Sequence, residues 1–155
     1  MKKRAVLLLT IVWMVVIFAF SGQSGSQSNR LSNKVEMKVE NMVPKTKAII
    51  GATEKQKVNA VRKLAHLCLF AGLGLLSIFL FKVFNVKKQI LSAGFFCFIY
   101  ACIDEFHQIY IPGREGKVTD VAIDLIGAAA GMILALLITL AYSAKNNWVN
   151  LRGTK

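Results

Sequence analysis

The amino-acid sequence predicts an all-α fold: a polytopic membrane bundle of about four transmembrane helices, plus a short amphipathic helix in the first outer segment. Three observations carry this. First, the chain has 155 residues, the length of one domain (1–155). Of these, 55% are hydrophobic, with a mean hydropathy of +0.51, too apolar for an ordinary soluble domain of that size. Second, the apolar runs Ala5–Phe20, Leu64–Phe81, Ile90–Ile103 and Val121–Tyr142 reach the ~20 residues that cross ~30 Å of hydrocarbon, the first and third by borrowing flanking residues. Third, the cations stand at the borders of these runs. A net charge of +12 would suggest nucleic-acid binding in a soluble chain, but no aromatic-basic interleaving supports it; basic flanks beside an anionic leaflet account for the charge.

The first span, about 5–22, follows the basic start MKKR. This start, the apolar run and Ala19-Phe20-Ser21 also fit a signal peptide, whose cleavage would leave three spans in the same orientation. Trp13 and the large Phe residues fit a retained helix better. The stretch SGQSGSQSN from Ser21 to Asn29 is a polar loop. Leu31, Val35, Val39 and Met42 then recur at helical spacing among charges, which gives an amphipathic helix ended by Pro44. The chain turns near Ile49-Ile50-Gly51. Thr53 and Gln56 form a candidate capping box for a helix that runs through Arg62 and Lys63 into span two, about 62–84.

Span three covers about 88–111, and Pro112-Gly113 breaks it. Span four, about 119–142, opens with Asp120 and Asp124 one turn apart, followed on the same stripe by Gly127 and Gly131. This GxxxG pattern lets another helix approach closely, so the stripe and its carboxylates face protein rather than lipid. Cys68, Cys97 and Cys102 match no zinc or redox spacing and read as buried small hydrophobes.

With four spans, both termini and the Lys82–Lys88 connection share one side, which holds nine basic residues and no acid. All eight acids and eleven basic residues lie on the other side. Much of that positive charge falls in the long 21–63 segment, where translocation is less sensitive to charge. The expected orientation therefore has both termini in the cytoplasm and the segment DEFHQIYIPGRE (104–115) at the outer face.

The polar residues gather at that face. At ~1.5 Å per residue from Lys88, Asp104 lies ~24 Å along span three, still within the hydrocarbon layer. His66 is about one turn inside span two. Asp104, Glu105, His107 and Gln108 end span three, Arg114 sits in the turn, and Asp120 and Asp124 start span four. Ionisable groups at this depth are costly and mark a candidate site. Asp104, His107 and Gln108 share one helical face, while Glu105 points about 100° away, toward Arg114 or another helix. The competing reading is a buried polar network that fixes helix register. Both histidines and most of the acids falling in one layer favour a site.

In such a layer His66 or His107 could be the proton-transfer or nucleophilic residue, oriented by Asp104 or Glu105, with Asp124 a further catalytic candidate. Arg62, Gln108, Arg114 and Asp120 would hold a substrate, Arg114 clamping its phosphate. Arg62 and Lys63 also read as snorkelling residues at a span border. The chain has no dedicated metal motif, so no cofactor is expected; Mg²⁺ on Asp104, Asp120 and Asp124 is the divalent option. At an outer leaflet the fitting partner is a phosphate-bearing membrane lipid or a polyprenyl-linked glycan. A binding protein for a lipid, antibiotic or partner membrane protein is the alternative. A proton-coupled transporter fits less well, because its polar residues would spread through the membrane depth.

Four pieces carry a resemblance: Arg62-Lys63-Leu-Ala-His66, Asp104-Glu105-Phe-His107-Gln108, Pro112-Gly113-Arg114, and Asp120, Asp124 and Gly127. Together they resemble the VanZ-like family of small bacterial membrane proteins, over about residues 8–140. The stretch from Trp13 to Gly25 fits that family's opening span. Asp124 stands where many relatives carry Asn, a departure that bears on its role as base or ligand. The resemblance implies a multi-pass helical domain, an association with low-level teicoplanin resistance, and kinship with membrane enzymes that exchange lipid head groups. Fold kinship alone does not establish a reaction.

Overall fold

The computed structural model describes residues 3–23, 30, 34, 54–114 and 116–153. Four helices make up the bundle: α1 (Lys3–Ser21), α2 (Glu54–Val83), α3 (Gln89–Gln108) and α4 (Val118–Gly153), with no strand among the described residues. All four are long and apolar enough to cross a membrane. The amphipathic helix expected over 31–42 lies outside the described residues except for Lys34, as do the turn at 49–51 and Thr53 of the capping box.

The helix ends follow local chemistry. After α2, Asn85 takes a left-handed φ of 58°, a conformation that Asn tolerates better than most residues. Asn85 N–H donates to the Lys82 carbonyl at 3.1 Å and Val86 N–H to the Phe81 carbonyl at 3.0 Å, which closes a Schellman motif. The short connection to Gln89 then makes α2 and α3 antiparallel neighbours. α3 stops at Gln108, short of the expected Pro112-Gly113 break. Ile109, Tyr110 and Ile111 donate instead to carbonyls three residues back, because Pro112 disfavours the α conformation at Ile111. Ile111 to Arg114 forms a β-turn, with Arg114 N–H donating to the Ile111 carbonyl at 3.1 Å. Pro112 stands at its second position and Gly113, φ 76°, at its third.

The tightest packing joins α2 and α4, which run parallel. A Cβ at Gly127 would overlap the Leu67 carbonyl oxygen, one at Gly131 that of Ala71, and one at Gly74 that of Ala128. The glycine stripe expected to meet a neighbour thus meets α2 at backbone contact. α1 docks beside them: the Trp13 indole N–H donates to the Leu69 carbonyl at 2.9 Å, and the Tyr100 hydroxyl of α3 donates to the Met14 carbonyl at 2.6 Å. Ile17, Phe70, Leu73, Cys97, Tyr100, Ala101 and Ala128 form the main core, and Ile78, Ala93 and Ala135 a second one. Large apolar side chains such as Leu8, Leu91, Ile126 and Leu140 point outward, as in a bundle surrounded by lipid. Of the three cysteines only Cys97 is buried. Cys68 and Cys102 lie on the outward faces of their helices, where an apolar surround replaces the expected core.

The glycines give a test with opposite signs. Gly94→Ala meets nothing within 4 Å, so its better helix propensity should stabilise the bundle by about 0.5–1 kcal/mol. Gly131→Ala gains the same propensity but pushes against the Ala71 carbonyl, so a net loss of about 1–3 kcal/mol is expected. Thermal unfolding of the purified variants in detergent should show the two midpoints moving apart, one up and one down.

Candidate functional site

Ser21 at the end of α1, the last turn of α3 and the first membrane turns of α2 and α4 all meet at one end of the bundle. The close approach of α2 to α4 sets the geometry there. One turn before Gly127, Asp124 faces α2, and its Oδ1 lies 3.5 Å from Nδ1 of His66. From α3, Asp104 Oδ2 lies 3.9 Å from the same nitrogen. Both carboxylates are only 1% exposed. The imidazole therefore stands between two buried acids contributed by two other helices.

The acids are held differently. Asp104 Oδ2 accepts hydrogen bonds from the Ser21 hydroxyl at 2.9 Å and from the Gln108 side-chain amide at 3.1 Å. Its Oδ1 and both oxygens of Asp124 have no hydrogen-bond donor among the described residues. Taking a carboxylate out of water costs several kcal/mol unless charge or hydrogen bonds compensate. His66 at 3.5 and 3.9 Å compensates only in part.

A cleft of ≈ 250 Å³ opens onto this cluster, lined by Arg62, Lys63, His66, Gln108, Asp120, Ile123 and Asp124. At its rim Lys63 Nζ lies 3.6 Å from Asp120 Oδ1. Arg114 is half-buried in the α3–α4 turn. Burial first, and the Arg62 cation second, lower its pKa from the ordinary range, while the charges of Asp104, Glu105 and Asp120 pull it back up. The β-turn thus returns Arg114 to within electrostatic reach of the acids on both flanking helices.

Of the residues that the sequence singles out, Arg62, His66, Gln108, Asp120 and Asp124 line the cleft, and Asp104 adjoins it through His66. Glu105 and His107 do not line the cleft. Glu105 is buried and its Oε1 accepts from the backbone N–H of Lys117, tying the entry of α4 to α3. The His107 ring stacks on Phe18 of α1, centroids 4.1 Å apart and planes 27° off parallel, with Gly22 close by. Sequence reasoning passed over Ser21 as a site residue. A serine closing an apolar span directly before a polar loop was the available signal, and it reads equally as the start of that loop.

No curated protein and no solved structure matches the chain. Residues 6–139 match the family model described as VanZ/LLP1. That match spans most of the sequence, with α2 and α3 whole, most of α1, α4 as far as residue 139 and every residue of the cleft, so the chain is a multi-pass membrane protein that belongs to the VanZ/LLP1 family.

Proposed function

We propose that this protein acts on a phosphate-bearing lipid or a lipid-linked envelope precursor at the outer leaflet of the bacterial plasma membrane, by head-group transfer or hydrolysis. The carrying observation is the His66 imidazole between buried Asp104 and Asp124, on the floor of a cleft whose rim carries Arg62 and Lys63. Rim cations attract an anionic head group, and the guanidinium of Arg62 or Arg114 can hold a phosphate by two parallel hydrogen bonds. The reaction then needs one proton moved. A proton leaves the attacking hydroxyl, of water or of an acceptor alcohol, as its oxygen bonds to phosphorus. A proton returns to the departing oxygen as the old phosphorus–oxygen bond breaks. A histidine flanked by carboxylates is suited to this traffic, because the acids orient the ring and balance the charge it gains. His107, stacked on Phe18, has no such flanking pair among the described residues, so the proton-transfer role is assigned to the His66 cluster. The orientation with both termini inside is supported by nine basic residues and no acid on the terminal side.

Two measurements test this. With the three cysteines changed to Ala, Val118→Cys, 87% exposed, should react with an impermeant maleimide in intact cells. Asn146→Cys should react only after permeabilisation, and the reverse pattern would overturn the orientation. For activity, the lipids of cells with and without the protein should differ in one head-group or polyprenyl-phosphate species. His66→Gln and Asp124→Asn should cut that difference at least about 100-fold at wild-type membrane abundance, and Cys102→Ala should leave it intact. A lipid profile that does not respond to the protein sinks the reading.

A further inference from the structure

The two acids beside His66 pose a charge problem that their neighbours solve only in part: Arg114 acts on Asp104 from a distance, without a hydrogen bond to Asp124. Asp104 and Asp124 are each 1% exposed, and Asp124 has no hydrogen-bond donor at either oxygen among the described residues. Lys63 pairs with Asp120 instead, at 3.6 Å. One imidazole facing two carboxylates can carry at most one positive charge. Two negative charges in a low-dielectric pocket call for a doubly charged partner.

The spacing of the donors fits such a partner. His66, Asp104 and Asp124 each offer one donor atom, and the three atoms lie within 4.8 Å of one another. The Nδ1 of His66 is 3.5 Å from Asp124 Oδ1 and 3.9 Å from Asp104 Oδ2. In a tetrahedral zinc site with bonds of about 2.0–2.2 Å, ligand atoms stand about 3.3–3.6 Å apart. One pair already has that separation, and small rotations of the side chains would close the others. The surroundings agree. Ser21 and Gln108 donate to Asp104 Oδ2, as outer partners hold a ligating carboxylate, so Oδ1, which has no donor among the described residues, is the oxygen a small turn of the carboxylate would bring to the ion. The cleft supplies an entry path, since His66 and Asp124 line it.

We propose that His66, Asp104 and Asp124 form a binding site for one divalent transition-metal ion, with zinc or manganese preferred over magnesium. An imidazole ligand disfavours magnesium, which takes oxygen ligands and keeps its waters. Asp120, the third acid of the magnesium option read from the sequence, is replaced by His66 because Asp120 turns toward Lys63 at the rim. Three protein ligands leave a coordination position open toward the cleft, the arrangement of a reactive site rather than of a structural one. With the ion in place His66 is a ligand, and the proton handling proposed for the cluster falls to water at the open position. The assignment stands on these side chains and not on the lipid reading, and its test needs no substrate.

The full chain, purified in detergent and stripped of metal, is titrated separately with Zn²⁺, Mn²⁺ and Mg²⁺. Bound metal is measured by mass spectrometry after gel filtration, and stability by thermal unfolding. About one equivalent of Zn²⁺ or Mn²⁺ per chain and a raised midpoint are expected. His66→Gln and Asp124→Asn, qualified by a helical circular-dichroism spectrum and monodisperse elution, should each weaken binding by at least about 100-fold. Ser21→Ala removes only a hydroxyl that orients Asp104, and should weaken it by about 10-fold with the fold intact. Cys102→Ala should bind as wild type. Failure of the wild-type chain to retain a transition ion, equal affinity for Mg²⁺, or variants that bind as wild type would each overturn the site. A lipid profile that still responds to the protein would then keep the lipid reading alive without the metal.

Discussion

The backbone contact between α2 and α4 is the constraint on which the site depends. Gly127 and Gly131 present no side chain to the carbonyls of Leu67 and Ala71, and Gly74 does the same for Ala128, so the two parallel helices lie closer than larger residues would allow. Without a strong hydrophobic drive between helices in lipid, this van der Waals contact is a main source of association. It also sets register. Once Gly127 is opposite Leu67, Asp124, one turn earlier, has to meet α2 near His66, and Asp120 near Lys63. The polar pairs follow from the apolar packing and do not need to create it.

α1 and α3 complete what that pair begins. Trp13 and Tyr100 each spend their polar atom on a backbone carbonyl of a neighbouring helix, Leu69 and Met14, which fixes α1 against α2 and α3 while burying aromatic surface. A Cβ at Gly72 would run into the Trp13 ring, so a second glycine of α2 serves as the seat for α1. With α1 fixed at this height, Ser21 reaches Asp104 at the far end of the bundle. Glu105 adds a tie of another kind, since its carboxylate accepts the N–H of Lys117 just before α4. Asp104 and Glu105, adjacent in sequence, thus face a candidate reactive cluster and a structural joint respectively.

Much of this was legible in the sequence because it depends on periodicity. Four apolar runs gave four helices, and the stripe Asp120, Asp124, Gly127 and Gly131 gave the face of α4 that meets protein. The 100° step between Asp104 and Glu105 separates their directions by helical phase alone. What periodicity cannot give is the partner across a helix gap. Asp104, His107 and Gln108 share a face by spacing, yet that face is wide enough to touch both α2 and α1. Gln108 bonds to Asp104, and His107 stacks on Phe18. Ser21 escaped notice for the same reason: its meaning comes from Asp104, 83 residues later. The end of α3 differed because three tightened turns fit between Gln108 and Pro112, a local adjustment that a breaker residue announces only approximately.

The separation of charge within the cleft ties the substrate reading to the ion reading. The rim carries Arg62 and Lys63, with Arg114 in reach, while the floor carries buried Asp124, with buried Asp104 behind it against His66. A phosphate drawn in by the rim would approach two carboxylates across a short, poorly screened distance, and like charges there repel strongly. Rim attraction alone would hold the phosphate at the mouth, away from His66. It can reach the floor only if the floor has lost its negative charge, by taking up protons or by binding a cation. A doubly charged ion neutralises both acids at once and turns the floor from a barrier into an attractor for phosphate oxygen. On this argument the unsatisfied oxygens of Asp124 are the feature that makes a cationic rim and an acidic floor compatible in one cleft.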